Sequence, residues 1–133
     1  MNLKNAKFSI LKFRPSAVLD EQVNIGILVF FEQDNVLQFI YPQTLTRLRA
    51  LFPKIDLDRI KTLLVNFENR IDEYNKKENV KLEFETIRDE HLLIPDDNSL
   101  FFSQNFDTGY SDKEALINHY TDRYFSSYYS KNY

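Results

Sequence analysis

One apolar stretch, residues 23–31 with the sequence VNIGILVFF, constrains the fold more than any other part of the chain. Side chains alternate between the two faces of a β-strand, and in this stretch both faces are largely apolar. We therefore expect the central strand of a sheet here. Asn24 and Gly26 interrupt the pattern, although both residue types suit strands poorly. Because they are two residues apart, strict alternation predicts that they share one face.

The flanking segments predict a strand on each side of this stretch. Residues 8–14 (FSILKFR) alternate in the same way and end before Pro15, and residues 36–41 (VLQFIY) end at Pro42. The connections between the three segments are short. Short connections favour an antiparallel meander, because parallel strands need crossovers of a dozen or more residues.

Two later segments also resemble strands. Val80, Leu82 and Phe84 alternate with charged residues, which predicts an edge strand with one wet face. Residues 100–103 (LFFS) predict one more short strand.

Three helices are predicted from helical spacing and capping residues. Thr44 would cap a short helix over residues 45–52, and Asp56 would cap a long one. Ser111, with Glu114 three residues later, matches a capping box for the last helix. The apolar stripe of the long helix would be Leu57, Ile60, Leu64, Phe67, Ile71 and Tyr74, and that of the last helix Leu116, Ile117, Tyr120, Tyr124 and Phe125.

Together these elements predict a single α+β domain over residues 1–133. It would contain an antiparallel sheet of three to five strands, with an N-terminal meander, packed against two or three helices. The first residues lack the apolar run of a signal peptide, and no stretch approaches the roughly 20 apolar residues of a membrane span. We therefore expect a cytoplasmic protein without membrane contact.

No motif in the chain declares a reaction. The absence of cysteine excludes disulfides, thiolate zinc sites and cysteine nucleophiles. The two glycines, Gly26 and Gly109, are too far apart for a glycine-rich phosphate loop. We therefore expect no metal and no cofactor, and a binding module in preference to an enzyme.

The candidate site with the clearest local pattern is Arg14, Glu21, Asn24 and Gly26. Gly26 would leave a gap on the strand, and Asn24 would need polar partners there. Two interpretations stay open. The four residues form a structural network, with Arg14 and Glu21 joined by a salt bridge, or they surround a ligand or substrate at the gap.

A second candidate is a nucleic-acid surface. Residues 1–54 contain seven basic and four acidic side chains, whereas the whole chain has a net charge of −3. The candidate contacts in this basic half are Lys7, Lys12, Arg14, Arg47 and Arg49. The acidic balance of the whole chain argues against a large phosphate-binding face.

The N-terminal run FSILKFRPSAVLDEQVNIGILVF resembles the opening of the bacterial domain-of-unknown-function family 3037 (DUF3037). Glu21, Asn24 and Gly26 match its Glu-x-x-Asn-x-Gly motif, and Arg14 and Pro15 match its Arg-x-x-Pro motif more loosely. Residues 100–125 are similar to the closing strand and terminal helix of the family.

Members of that family are often found beside kinases similar to HipA. The resemblance therefore implies a small partner or regulator of a HipA-like kinase, in a toxin–antitoxin-like pair. Our leading hypothesis is a binding or regulatory module that acts through protein–protein contact. A small enzyme or ligand-binding domain and a nucleic-acid-binding module are the alternatives.

Overall fold

Five antiparallel strands form the sheet in the part of the chain that the structure describes. They are β1 (Lys4–Ser16), β2 (Glu21–Phe31), β3 (Val36–Ile40), β4 (Leu100–Phe102) and β5 (Phe106–Tyr110). The sheet runs in the order β3, β2, β1, and both β4 and β5 pair with the other edge of β1. The computed structural model describes residues 3–16, 21–42, 44–77, 81–92 and 100–125. The predicted meander and the α+β fold class are confirmed.

The helical elements are α1 (Thr46–Leu51), α2 (Leu57–Lys76), α3 (Phe84–Thr86) and α4 (Lys113–Phe125). A π-helical turn, Ile87–Leu92, continues directly from α3. Among the residues described, no helix combines the length and the apolar character needed to cross a membrane.

The sheet has two covered faces, which we name by the helices that pack on them. Leu28 and Phe39 are cross-strand partners, and the ring of Phe39 stacks 5.8 Å from that of Phe67 in α2, so these residues mark the α2 face. On the other side, the ring of Phe8 lies 4.5 Å from that of Tyr120 in α4, which marks the α4 face. Cover on both sides explains why residues 25–31 are apolar on both faces and all buried.

The long helix forms as its sequence predicts. The Asp56 carboxylate accepts a hydrogen bond of 3.1 Å from the backbone N–H of Arg59, which satisfies one of the free donors in the first turn. The predicted stripe is buried in the structure at Ile60, Leu64, Phe67, Ile71 and Tyr74. This periodicity therefore identified the core-facing side of α2 correctly.

The predicted edge strand around Phe84 is wrong. Residues 81–83 have no regular structure, α3 begins at Phe84, and Val80 lies outside the described residues. Phe84 and Ile87 are both buried, and their spacing of three places them on one side of a helical turn. The Phe84 ring stacks 5.9 Å from that of Phe30, so packing on the α2 face replaces pairing at a sheet edge.

Two predicted helix caps are also wrong. The N-cap of α1 is Leu45, not Thr44, and no side chain caps it. At α4 the helix begins one residue later than Ser111 requires, and the Asp112 carboxylate accepts a 3.1 Å hydrogen bond from the backbone N–H of Glu114. An aspartate is as good a cap as serine, so the choice between them depends on where the chain leaves β5.

Candidate functional site

A β-bulge separates the two unusual residues of β2. Gly26 pairs with Leu11 and Asn24 pairs with Lys12, so Ile25 has no partner on β1. Because Leu11 and Lys12 are consecutive, they point to opposite faces, and so do the residues across from them. Asn24 therefore lies on the α4 face and Gly26 on the α2 face. The prediction that they share a face was wrong, because alternation cannot detect one inserted residue.

The space beside Gly26 is occupied by the ring of Phe39. A Cβ placed on Gly26 would lie 2.5 Å from Cζ and 2.7 Å from Cε1 of that ring. The ring also lies 5.4 Å from that of Tyr41 and 5.8 Å from that of Phe67. The glycine thus leaves room for the Phe39 ring from β3. The ligand-site hypothesis required an empty, concave gap at this position, and the ring fills it.

Arg14 and Glu21 are not opposite each other in the ladder. A second irregularity follows Phe13, after which Glu21 pairs with Ser16. The guanidinium of Arg14 lies 4.9 Å from the centre of the Phe101 ring, in the geometry of a cation–π contact. The side chain of Glu21 lies outside the described residues. The structure thus places Arg14 and Asn24 on the α4 face, away from Gly26.

The basic residues predicted for nucleic-acid contact do not share one surface. Lys7 lies on the α2 face, where its ammonium is 3.0 Å from Asp107 Oδ1 and 3.9 Å from Glu32 Oε1. Lys12 and Arg14 belong to the α4 face. Arg49 is exposed on α1, and the side chain of Arg47 in the same helix lies outside the described residues.

The structure contains an open cleft that no pattern in the sequence predicts. It lies on the α2 face, beside the turn between β2 and β3, and its volume is about 540 Å³. Its apolar lining is Phe30, Leu82 and Phe84, its amides are those of Asn35 and Asn105, and its charged side chains are Lys7, Glu32, Lys81, Glu83 and Glu85. This volume falls within the range of about 300–1,000 Å³ that ligand sites occupy.

A chain of hydrogen bonds orients one wall of this cleft. The Arg88 side chain is only 14% exposed, and its Nε and Nη2 donate to the two Asp89 carboxylate oxygens over 2.8 and 3.0 Å. Its Nη1 donates to Asn105 Oδ1. Arginine only donates, so the Asn105 amide group must point the other way, where its Nδ2 donates to Glu85 Oε1 over 3.2 Å.

The segment that carries Asn105 is anchored on β1 through Ser103. The buried Ser9 hydroxyl donates to the Ser103 carbonyl over 2.7 Å, and the Ile10 N–H donates to Ser103 Oγ over 2.9 Å. The Ser103 carbonyl also accepts from Arg88 Nη1 over 3.2 Å. Ser9 is fully buried, so this polar contact is shielded from water and holds the cleft wall in place.

Lys7 stands among carboxylates at the cleft. Its hydrogen bond with Asp107 raises the Lys7 pKa above the usual 10.5, and the negative charges of Glu32 and Glu85 act in the same direction. The ammonium therefore stays protonated at neutral pH, which suits recognition by charge and not proton transfer. Glu32 is held as well, since its Oε1 accepts from Asn5 Nδ2 over 3.0 Å.

No signal in the sequence brings these cleft residues together. Glu85 and Asn105 are twenty positions apart, and Lys7 reaches Asp107 across a hundred positions. Arg88 and Asp89 are neighbours in the sequence, but their pairing and the burial of Ile87 beside them appear only in the structure. Within the described ranges, no three histidine, aspartate or glutamate side chains gather as a metal site would require.

The fold is thus an α+β sheet structure with a polar-rimmed cleft on its α2 face. The chain belongs to the family described as "Protein of unknown function (DUF3037)", whose model matches residues 8–125. This match confirms the family resemblance identified from the sequence. Comparison with the curated proteins and with the solved structures gave no match.

Proposed function

We propose that this protein is a binding or regulatory module that acts through contact with a partner protein, and that the cleft is its contact site. The observation that carries the proposal is the chain of hydrogen bonds from Asp89 through Arg88 and Asn105 to Glu85. It holds a carboxylate in one orientation beside apolar side chains. A recognition site needs such preorganised polar groups, because ordering them during binding would cost free energy.

The charge state of Lys7 supports binding in preference to catalysis. A lysine that acts as a base or nucleophile needs a pKa lowered toward neutrality. The carboxylate contacts of Lys7 raise its pKa instead. We propose that the module acts without a cofactor and in the cytoplasm.

For the partner we propose a HipA-like kinase. The support is membership of the DUF3037 family, since the resemblance to that family implies a kinase of this type as a neighbour. The module would then act as a regulator of the kinase.

Co-expression with the HipA-like kinase encoded nearest to it tests this proposal. We expect the two chains to elute together from a size-exclusion column at micromolar concentration. Reversing two charges of the cleft, Glu83→Lys with Glu85→Lys, should release the kinase. The matched control is Asp122→Lys. Asp122 lies in α4, on the opposite face of the sheet from the cleft, so this variant should leave the complex intact. Separate elution of the unaltered chains would refute the proposed partner.

A further inference from the structure

We propose that the cleft receives an arginine or lysine side chain of the partner protein, an inference that rests on the proposed function and names the chemistry of the contact. The occupant would place its cationic group among the cleft carboxylates and its aliphatic stem against the aromatic lining.

The balance of charge in the cleft favours a cationic group. Three carboxylates line the cleft, those of Glu32, Glu83 and Glu85, against the two ammonium groups of Lys7 and Lys81. The Lys7 ammonium is shared between Asp107 at 3.0 Å and Glu32 at 3.9 Å, so with Asp107 included four carboxylates face two ammonium groups. The cleft thus presents excess negative charge, which attracts a cation and repels phosphate or carboxylate ligands.

The carboxylates of the cleft keep acceptor positions for further hydrogen bonds. Glu32 and Glu85 each accept one hydrogen bond through Oε1, from Asn5 and Asn105 respectively. A carboxylate offers about four acceptor positions on two oxygens, so each can accept further donors while it stays oriented. Both carboxylates line the same cleft as the Lys7 ammonium, and their negative charges raise its pKa.

The apolar lining of the cleft suits the stem of a long cationic side chain. The rings of Phe30 and Phe84 stack with an interplanar angle of 8° and 5.9 Å between their centres, and Leu82 is half-buried beside them. A metal ion would gain nothing from these surfaces. The methylene stem of arginine or lysine can pack against Leu82 and against the small exposed part of these two otherwise buried rings.

The test is an NMR titration of the full chain, labelled with ¹⁵N, using the peptide acetyl-Gly-Arg-Gly-amide. The matched control peptide carries citrulline in place of arginine, which keeps the shape and removes the charge. We expect the arginine peptide to shift the Asn105 side-chain amide and the backbone amides of Phe84 and Glu85. The citrulline peptide should bind about tenfold more weakly or not at all, since it lacks the charge-assisted hydrogen bonds.

Variants of the protein locate the binding. Glu83→Gln together with Glu85→Gln should weaken the arginine peptide by about tenfold. Asp122→Asn on α4 should leave the affinity unchanged. If the double variant loses its dispersed spectrum, Glu83→Gln alone serves, because Glu83 is exposed and its side chain forms no hydrogen bond among the described residues. An equal affinity for both peptides, or shifts confined to residues outside the cleft, would overturn the inference.

Three outcomes distinguish this inference from the proposed function and from binding of a free polyamine. If the kinase elutes with the chain but the arginine peptide shifts no cleft residue, the contact chemistry is wrong and the protein-binding function stands. If spermidine shifts the cleft residues and the peptide does not, the cation comes from a free polyamine and the inference falls. Binding of the peptide without elution of the kinase would refute the kinase as partner and retain the cationic site.

Discussion

The ring of Phe39 fills the position that a side chain at Gly26 would occupy. A Cβ on Gly26 would lie 2.5 Å from Cζ of Phe39, which is closer than side-chain atoms approach in folded proteins. The glycine in the middle of a buried strand is therefore required by a neighbouring aromatic residue. Covering a strand glycine with an aromatic ring also recovers part of the packing that the glycine itself lacks.

Substitution of this glycine should destabilise the fold. We expect Gly26→Ala to lower the free energy of unfolding by about 1–3 kcal/mol, because the added methyl group must displace a packed ring. Urea denaturation measures the change. Gly109→Ala is the control, since its Cβ would lie 3.3 Å from the exposed Leu3 side chain, which can move. In the Gly26→Ala background, Phe39→Leu should cost less than it does alone, and additive costs would contradict the contact.

Asn75 protects the outer edge of β3. Its Oδ1 accepts from the Leu37 N–H and its Nδ2 donates to the Leu37 carbonyl, both over 2.8 Å. We expect Asn75→Ala to lower the unfolding free energy by about 1–2 kcal/mol and to speed hydrogen exchange at the Leu37 amide. The exposed Asn66 lies on the same helix, so Asn66→Ala reports helix propensity alone. Unchanged protection of Leu37 would refute the role of Asn75.

Two buried tyrosines should respond differently to loss of the hydroxyl group. The Tyr110 hydroxyl is buried without a hydrogen-bond partner among the described residues, whereas the Tyr74 hydroxyl donates to Asn35 Oδ1 over 2.9 Å. We expect Tyr110→Phe to leave the unfolding free energy unchanged or to raise it by up to about 1 kcal/mol. Tyr74→Phe should lower it by about 1 kcal/mol. Equal losses in both variants would show that Tyr110 has a partner.

The ion pair between Asp34 and Lys113 should make stability depend on acid pH. The hydrogen bond from Lys113 and its positive charge lower the Asp34 pKa below the usual 3.8. A lowered pKa in the folded state stabilises the protein above pH 3.8, and this contribution is lost as the pH falls through the folded-state pKa. In Lys113→Gln, an NMR titration should show the Asp34 pKa raised toward 3.8, whereas Lys61→Gln on α2 should not change it. An unaltered Asp34 pKa in Lys113→Gln would contradict the pairing.

Local patterns in the sequence predicted the elements whose burial is periodic. The strand β2 was identified because its sequence is largely apolar on both faces, and the stripe of α2 because its apolar residues keep one helical period over the length of the helix. The segment around Phe84 was misassigned, because its short alternation also fits the start of a helix. β5 was not predicted, since Phe106–Tyr110 contains Asp107 and Gly109 and becomes a strand by pairing with β1.

The candidate site likewise combines a short pattern that is visible in the sequence with contacts between residues far apart in the chain. The Glu-x-x-Asn-x-Gly pattern at residues 21–26 was visible in the sequence, but its geometry depends on the bulge at Ile25. The cleft was not visible at all, because Lys7, Glu32, Glu85 and Asn105 come from four separate parts of the chain.

The sequence by itself determined the fold class, the meander, the long amphipathic helix and the family, because these depend on the spacing of apolar residues and on short motifs. Only the tertiary structure decided which face each residue of β2 occupies and where the polar groups converge. One unpaired residue reverses the alternation of a strand without changing its composition. Similarly, a hydrogen bond between Asn105 and Glu85 exists only after the sheet and α3 have brought them to 3.2 Å.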